Sequence, residues 1–323
     1  MDQDFEAKDA FNGAEVGHKP VLWREVMSLL APQPGETVLD CTAGRGGHGE
    51  MLTRAIGNDG AKGTYIGMDV DPLNADFARN RLQKVAHQLG DHVQINIINR
   101  NFTEMDRVLQ DLNIHGTDII LADLGFASNQ MDDGARGMSF REDGPLDMRL
   151  DTTGDGVTAA ELVNELDETE LADVIYQFGE ERLSRRIARK IVEKRKDGPI
   201  ESTCELAELV RGCYPGGGRK SRIHPATRTF MALRIAVNGE LAALDHFLAT
   251  LSRESDLVKV GGRVGVISFH SLEDRRVKLA FRALKQRGDW QLINRKVVIA
   301  QDDECNDNPR SRSAKLRVIK RVR

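Results

Sequence analysis

The run Val38-Leu39-Asp40-Cys41-Thr42-Ala43-Gly44-Arg45-Gly46-Gly47-His48-Gly49 constrains the fold of this chain more than any other stretch. A short apolar strand ends in an acid, breaks into four glycines within six positions, and gives way to the helix-like Met51-Leu52 to Ala55-Ile56. Glycines at a strand-to-helix turn let the backbone bend sharply and bring its amides against a ligand. Gly44-x-Gly46-x-x-Gly49 satisfies the dinucleotide fingerprint. Asp40, four residues earlier, argues otherwise: it would repel a pyrophosphate but suits a ligand carrying a cationic amine. The expected ligand is therefore a methyl donor, S-adenosyl-L-methionine, with Asp40 and Gly44 close to it.

Four strand-like segments, Thr37–Cys41, Thr64–Asp69, Val93–Ile98 and Asp118–Asp123, alternate with helical patterns over Glu50–Ile56, Pro72–Leu89 and Thr103–Leu112. That alternation predicts an α/β fold with a mostly parallel sheet. A fifth strand is expected over Arg263–Ser268, and a C-terminal antiparallel hairpin over Trp290–Ile299 and Lys315–Arg321. The roughly 140 residues between the fourth and fifth strands far exceed the single helix a crossover needs. Thr158-x-x-Glu161 and Ser202-x-x-Glu205 read as capping boxes, and helical spacing recurs over Leu171–Lys196 and Thr227–Leu251. We therefore expect an inserted all-helical domain over 131–238, between sheet-domain segments 18–130 and 239–323, behind an acidic, disordered leader over 1–17.

Across 323 residues there is no apolar run long enough to span a membrane. The leader lacks the basic and apolar regions of an export signal. Four scattered cysteines show no metal-ligand or disulfide spacing, so no metal is expected and a reducing, cytoplasmic setting is. A net charge of −4 conceals segregation: Arg182–Lys196 holds eight bases against one acid, and Pro309–Arg323 seven bases and no acid. Such patches set phosphate affinity irrespective of net charge.

Asp69 lies about 20 residues beyond the glycine loop at a strand end, where a carboxylate can accept both hydroxyls of a ribose. Asp71 reads as a helix cap, and Phe102 either flanks an adenine or belongs to the core. Asp123 ends the fourth strand and is placed to face both ligand and substrate. His270, in Ser268-Phe269-His270-Ser271, either touches substrate or caps the next helix; His224 is ambiguous in the same way.

From His18 onward the chain resembles the bacterial 16S ribosomal RNA cytosine N4-methyltransferase family. The likeness rests on His18-Lys19-Pro20-Val21-Leu22, Gly44-Arg45-Gly46-Gly47-His48, Asp123-Leu124-Gly125, Arg136-Gly137-Met138-Ser139-Phe140 and Gly179-Glu180-Glu181-Arg182. Its most diagnostic strings are His224-Pro225-Ala226-Thr227-Arg228-Thr229-Phe230, Ser268-Phe269-His270-Ser271-Leu272-Glu273-Asp274-Arg275 and Asn308-Pro309-Arg310-Ser311-Arg312-Ser313-Ala314-Lys315-Leu316-Arg317. The resemblance implies a class I, Rossmann-like methyltransferase sheet with a helical insertion for RNA recognition. It implies cofactor contacts at Gly46, Gly47, His48, Asp69, Phe102, Asp123 and Gln130, and 16S rRNA in the small subunit as partner. Asp123 is the first expectation for the group accepting hydrogen from the target amine, His270 the second. One departure stands out: Phe126-Ala127-Ser128-Asn129 replaces the family's usual Val-Ser-Ser-Pro. The oligomeric state stays open, a homodimer included. So do two other readings, an RNA-binding ribosome-assembly factor without turnover and a dehydrogenase using the glycine fingerprint.

Overall fold

The computed structural model describes residues 20–218, 224–253 and 255–323. The leader 1–17, His18 and residues 219–223, which open a further basic stretch over 219–228 that would also suit RNA phosphates, lie outside the described residues. Eight strands form one sheet among the described residues: β1 Thr37–Asp40, β2 Thr64–Asp69, β3 Gln94–Asn99, β4 Thr117–Asp123, β5 Val258–Ser268, β6 Trp290–Leu292, β7 Val298–Ile299 and β8 Lys315–Arg321. In chain order the helices are α1 Trp23–Leu30, α2 Gly47–Ile56, α3 Pro72–Gln88 and α4 Met105–Asp111, then α5 Ser128–Asp132, α6 Ala159–Glu165 and α7 Glu168–Gly179. They continue with α8 Ser184–Lys194, α9 Thr203–Gly212, α10 Thr227–Asn238, α11 Glu240–Arg253, α12 Ser271–Arg287 and α13 Asp302–Asp307. No described helix is long and apolar enough to cross a membrane.

The chain divides into two compact units, one of residues 1–125 with 245–323, the other of 126–244. In the first, the strand order is β3-β2-β1-β4-β5-β8-β6, with β7 also on β8. Strands β1 to β5 run parallel, and β8 is antiparallel to β5, β6 and β7. This is the doubly wound α/β sheet with an antiparallel C-terminal edge that the strand pattern predicts. Val38, Leu39, Tyr65, Ile66, Met68 and Ile119 to Ala122 are fully buried, as a parallel sheet covered on both faces requires. The core over this sheet takes in Val26 and Leu30 from α1, Leu52 and Ile56 from α2, and Ala78 and Leu82 from α3. Each fully buried Leu or Ile contributes about 1.5–3 kcal/mol.

Three expectations change in detail. The first arm of the hairpin is not continuous over 290–299 but splits into β6 and β7. The cause is Asn294, whose amide takes the place of backbone: its Nδ2 donates to Leu316 O (3.0 Å) and its Oδ1 accepts from Val318 N (2.7 Å). Leu171–Lys196 breaks into α7 and α8 at Glu180, which has φ +47°. Gly179 at that break lies so near Arg228 O that an added Cβ would sit 2.7 Å from it. Thr227–Leu251 likewise breaks at Gly239, φ +59°. The second unit packs its own core from α6 to α10, including Val163, Ile175, Ile187, Ile191, Leu206 and Leu233. Thr158 and Glu161 form the expected reciprocal cap on α6, and Ser202 caps α9 through Glu205 N.

One glycine of the fingerprint is fixed by packing. A Cβ on Gly49 would lie 2.5 Å from Tyr65 Oη and 3.0 Å from Leu82 Cδ1. Tyr65 is fully buried and hydrogen-bonded to Asp40, so it cannot swing away. Gly49→Ala should therefore cost about 1–3 kcal/mol of stability from overpacking, read as a lowered urea midpoint.

Candidate functional site

Three acids stand at the carboxyl ends of neighbouring strands: Asp69 on β2, Asp40 on β1 and Asp123 on β4. The chain runs outward from β1 to β2 and β3, then returns to β4 on the other side. Asp40 and Asp123 thus flank the point where strand order reverses, the place where open α/β sheets bind ligands.

The loop after β1 is built by these acids. Asp69 accepts from Gly44 N through Oδ2 and from Asp71 N through Oδ1, both at 2.8 Å. Each oxygen keeps a further lone pair for a ligand hydroxyl. Gly44 and Gly46 take φ +52° and +77°, conformations that cost a side-chain-bearing residue about 1–2 kcal/mol. The helix α2 then begins at Gly47, its first amides free of intrahelical partners. Asp71 caps α3 by accepting from Leu73 N at 3.0 Å.

Asp40 is buried and accepts from Tyr65 Oη at 2.8 Å and Thr42 N at 3.1 Å. Burial lifts its carboxyl from the ordinary 3.8 to about 6, opposed by the Tyr65 and Thr42 bonds. Asp69 is lifted to about 6 as well, by burial first, with the Asp71 and Gly44 amides pulling the other way. Asp123 is held well above the carboxylate range by burial and then by the charges of Asp40 and Glu273. Its backbone N donates to Thr42 Oγ1 at 2.6 Å, while its Oδ1 is sealed from solvent without a hydrogen-bond partner among the described residues. Three carboxyls resisting ionisation beside one loop form a site that gains from an incoming cation or donor.

His48 is buried on α2, with Nε2 2.9 Å from Val21 O and Nδ1 3.6 Å from Asp123 Oδ2. Phe102 meets Phe247 of α11 edge to face, ring centroids 5.9 Å apart. His270 is the N-cap of α12: Nδ1 accepts from Glu273 N at 3.4 Å, and Nε2 lies 3.2 Å from Glu273 Oε1. Glu273 also accepts from Phe269 N at 2.8 Å. Gln130 belongs to the other unit, where it is buried and its Oε1 accepts from Ala127 N at 2.8 Å. There too, Phe126 lies under the Arg234 guanidinium at 4.6 Å, itself paired twice with Glu240.

Three contributors escape a reading of the sequence. Tyr65 looks like a core aromatic, Thr42 a loop residue and Asn99 a strand end. Yet Asn99 Nδ2 donates to Asp69 O at 2.9 Å and Val70 O at 3.0 Å, pinning the turn that carries Asp69. A polar residue terminating β3 level with Asp69 is the only hint the sequence offers of this.

The "Ribosomal RNA small subunit methyltransferase H" of Synechococcus elongatus is 48% identical over 317 residues, covering 97% of this chain and 98% of that protein. The proteins of the same name from Geobacter sulfurreducens and Koribacter versatilis are 43% and 45% identical. They cover 94% and 95% of this chain, and 99% and 95% of their own lengths. The profile of the MraW methylase family matches residues 15–322; the chain belongs to that family.

Proposed function

We propose that this protein transfers a methyl group from S-adenosyl-L-methionine to the exocyclic N4 of a decoding-site cytosine in 16S rRNA. The observation that carries the reading is the row Asp69, Asp40, Asp123 along the sheet edge around the glycine loop. These residues fit the donor. Asp69 retains acceptor capacity for two ribose hydroxyls, Asp40 and its neighbours favour a cation, and the amides that open α2 face no helix partner. Gly46, Gly47, His48 and Phe102 would complete the binding site. When bound, the cofactor supplies a methyl group on an electrophilic sulfonium.

The protein's own work is alignment and proton handling. Cytosine's amine is a weak nucleophile because its lone pair is delocalised into the ring. Holding it in line can supply about 7–11 kcal/mol. Asp123, at the end of β4 with its side chain partly exposed, is the group that would accept hydrogen from that amine. His270, committed to its cap, is the second choice.

The helical unit, proposed as the RNA-recognition domain, supplies phosphate contacts. On α8, Ile187, Ala188 and Ile191 face the core while Arg185, Arg186, Arg189 and Lys190 face solvent. Arg189 is shared with Glu168 at 3.3 Å and Lys190 with Glu193 at 3.9 Å. The C-terminal basic segment is less available than its charge count implies. Arg317 is spent on Asp274 at 2.8 Å and Arg321 on Val258 O at 2.6 Å. Reversing Arg185 and Arg186 to glutamate should weaken binding to small-subunit RNA and flatten its salt dependence by about two units of log–log slope; filter binding across a salt series reads this.

The test of the function is mass spectrometry of small-subunit RNA from a deletion strain. One N4-methylcytosine should disappear, return with the wild-type gene and stay absent with Asp123→Ala. Tight binding of a nicotinamide dinucleotide in place of S-adenosylhomocysteine would overturn the reading.

A further inference from the structure

We infer that the exposed side of α12 is a second RNA-binding surface, a stripe of Lys278, Arg282 and Lys285 that grips phosphates of the strand flanking the target cytosine. The inference rests on the methyltransfer reading for its substrate class, and on the sheet unit alone for its geometry.

From Arg275 to Arg287 the chain holds six bases and no acid, a run that Glu273 and Asp274 before it and Asp289 after it conceal. The fold sorts these bases. At 3.6 residues per turn, Lys278, Arg282 and Lys285 fall within about 60° of one another and over about 10 Å of helix. Arg276 and Arg287 take the opposite flank, and each is neutralised: Arg276 pairs with Asp245 at 3.1 Å, Arg287 with Asp289 at 2.9 Å. Among the described residues, Lys278, Arg282 and Lys285 have no ion pair or side-chain hydrogen bond. Two acids have the spacing to reach them, and both are committed elsewhere. Asp274 precedes Lys278 by four positions, the favourable order for a helical ion pair, but meets Arg317 of β8 at 2.8 Å. Asp289 follows Lys285 by four and meets Arg287 instead. The three cations are left to repel one another across single turns, an arrangement that gains from a polyanion laid along it.

That polyanion is RNA rather than a lipid surface. A basic amphipathic helix binds a bilayer by burying its apolar face there, and on α12 that face is spent on the core: Leu272, Val277, Phe281 and Leu284 are buried. Leu279, 58% exposed, is the one large apolar side chain that α12 presents to solvent, too little to hold a membrane. Position favours the substrate as well. α12 starts where β5 ends, and β5 runs parallel beside β4 with Ile267 level with Asp123. The stripe therefore leads away from the sheet edge that carries Asp123, and Lys278 lies about 10 Å along the helix from its start. A strand whose cytosine is held at that edge can continue over these three cations.

The test is binding of small-subunit RNA by the full chain carrying Lys278→Gln, Arg282→Gln and Lys285→Gln together. Losing three phosphate contacts, at about 0.7 each on a single strand, should flatten the log–log salt dependence by about two units. Between about 50 and 200 mM salt the wild type should then lose roughly sixteenfold more affinity than the variant. In methylation assays the RNA concentration for half-maximal rate should rise while the rate at saturating RNA stays the same, the mark of lost uniform binding. Lys278→Arg with Lys285→Arg should bind as wild type does. None of the three side chains is buried, so S-adenosylhomocysteine should titrate equally into wild type and triple variant. A second measurement removes no charge: a benzophenone side chain in place of Leu279 should photocrosslink to the same RNA. An unchanged salt slope in the triple variant, or no crosslink from position 279, overturns the proposal. So does a triple variant that loses binding to phosphatidylglycerol vesicles while its RNA binding is intact. Failure of the methyltransfer reading would show elsewhere, as wild-type protein that binds this RNA and places no labelled methyl group on it.

Discussion

Asp69→Asn should weaken S-adenosylhomocysteine binding about ten- to a hundredfold, the loss of charge-assisted bonds worth about 1.5–3 kcal/mol each. Asp69→Ala should do more, because the carboxylate is also a structural brace. With its oxygens gone, Gly44 N and Asp71 N lose their 2.8 Å partners, at about 1–3 kcal/mol for each amide left buried and unpaired. Calorimetric titration and denaturant unfolding together read both effects. The binding effect has a pH signature. Since the folded Asp69 titrates at about 6, wild-type affinity should rise as pH climbs through that value and the acceptor becomes charged. Equal affinity in wild type and Asp69→Asn at pH 8 would remove Asp69 from the ligand site.

Asp40→Asn should stabilise the cofactor-free protein at pH 8 while weakening the cofactor. The folded Asp40 titrates at about 6, the ordinary value being 3.8, so the native state holds this proton more tightly than the unfolded chain. Stability from this group is then fully present below about pH 4 and is lost as pH rises through 6. At 1.36 kcal/mol per unit, the penalty at pH 8 is at most about 3 kcal/mol. Asparagine carries no such penalty and keeps both contacts, its oxygen accepting from Thr42 N and its amide donating to the Tyr65 oxygen. Urea unfolding at pH 4.5 and 8 should show the variant's advantage growing with pH. A variant less stable than wild type at pH 8 would contradict the account of Asp40 as a strained, ligand-seeking charge.

The strands and acids of the sheet unit are legible because each is a local signal: an apolar run, an acid at its tip, a glycine or proline after it. Thr64–Asp69 and Lys315–Arg321 agree with the structure to the residue. What fails is information held across the chain. Tyr65 meets Asp40 from 25 residues away, and Thr42 meets Asp123 from 81; no periodicity marks either pair. The split of the hairpin arm depends on a side chain imitating backbone, which a count of β-formers in Trp290–Ile299 cannot register. The breaks at Glu180 and Gly239 are single residues in left-handed conformation inside otherwise helical spacing. His270 displays the opposite limit. Its position after β5 was plain, but only the bond from Glu273 N shows that one ring nitrogen is already engaged.

The placement of β8 has a consequence for biosynthesis. Although β8 follows every other strand in the sequence, it lies inside the sheet, between β5 and the pair β6 and β7. During vectorial synthesis, the emerging polypeptide offers Arg263 to Ser268 of β5, the residues that pair with β8, as a bare ladder until positions 315–321 arrive. Open ladders recruit other chains. Ribosomes stalled upstream of that point would thus release sticky fragments, and holdase chaperones should be found on them rather than on the finished product.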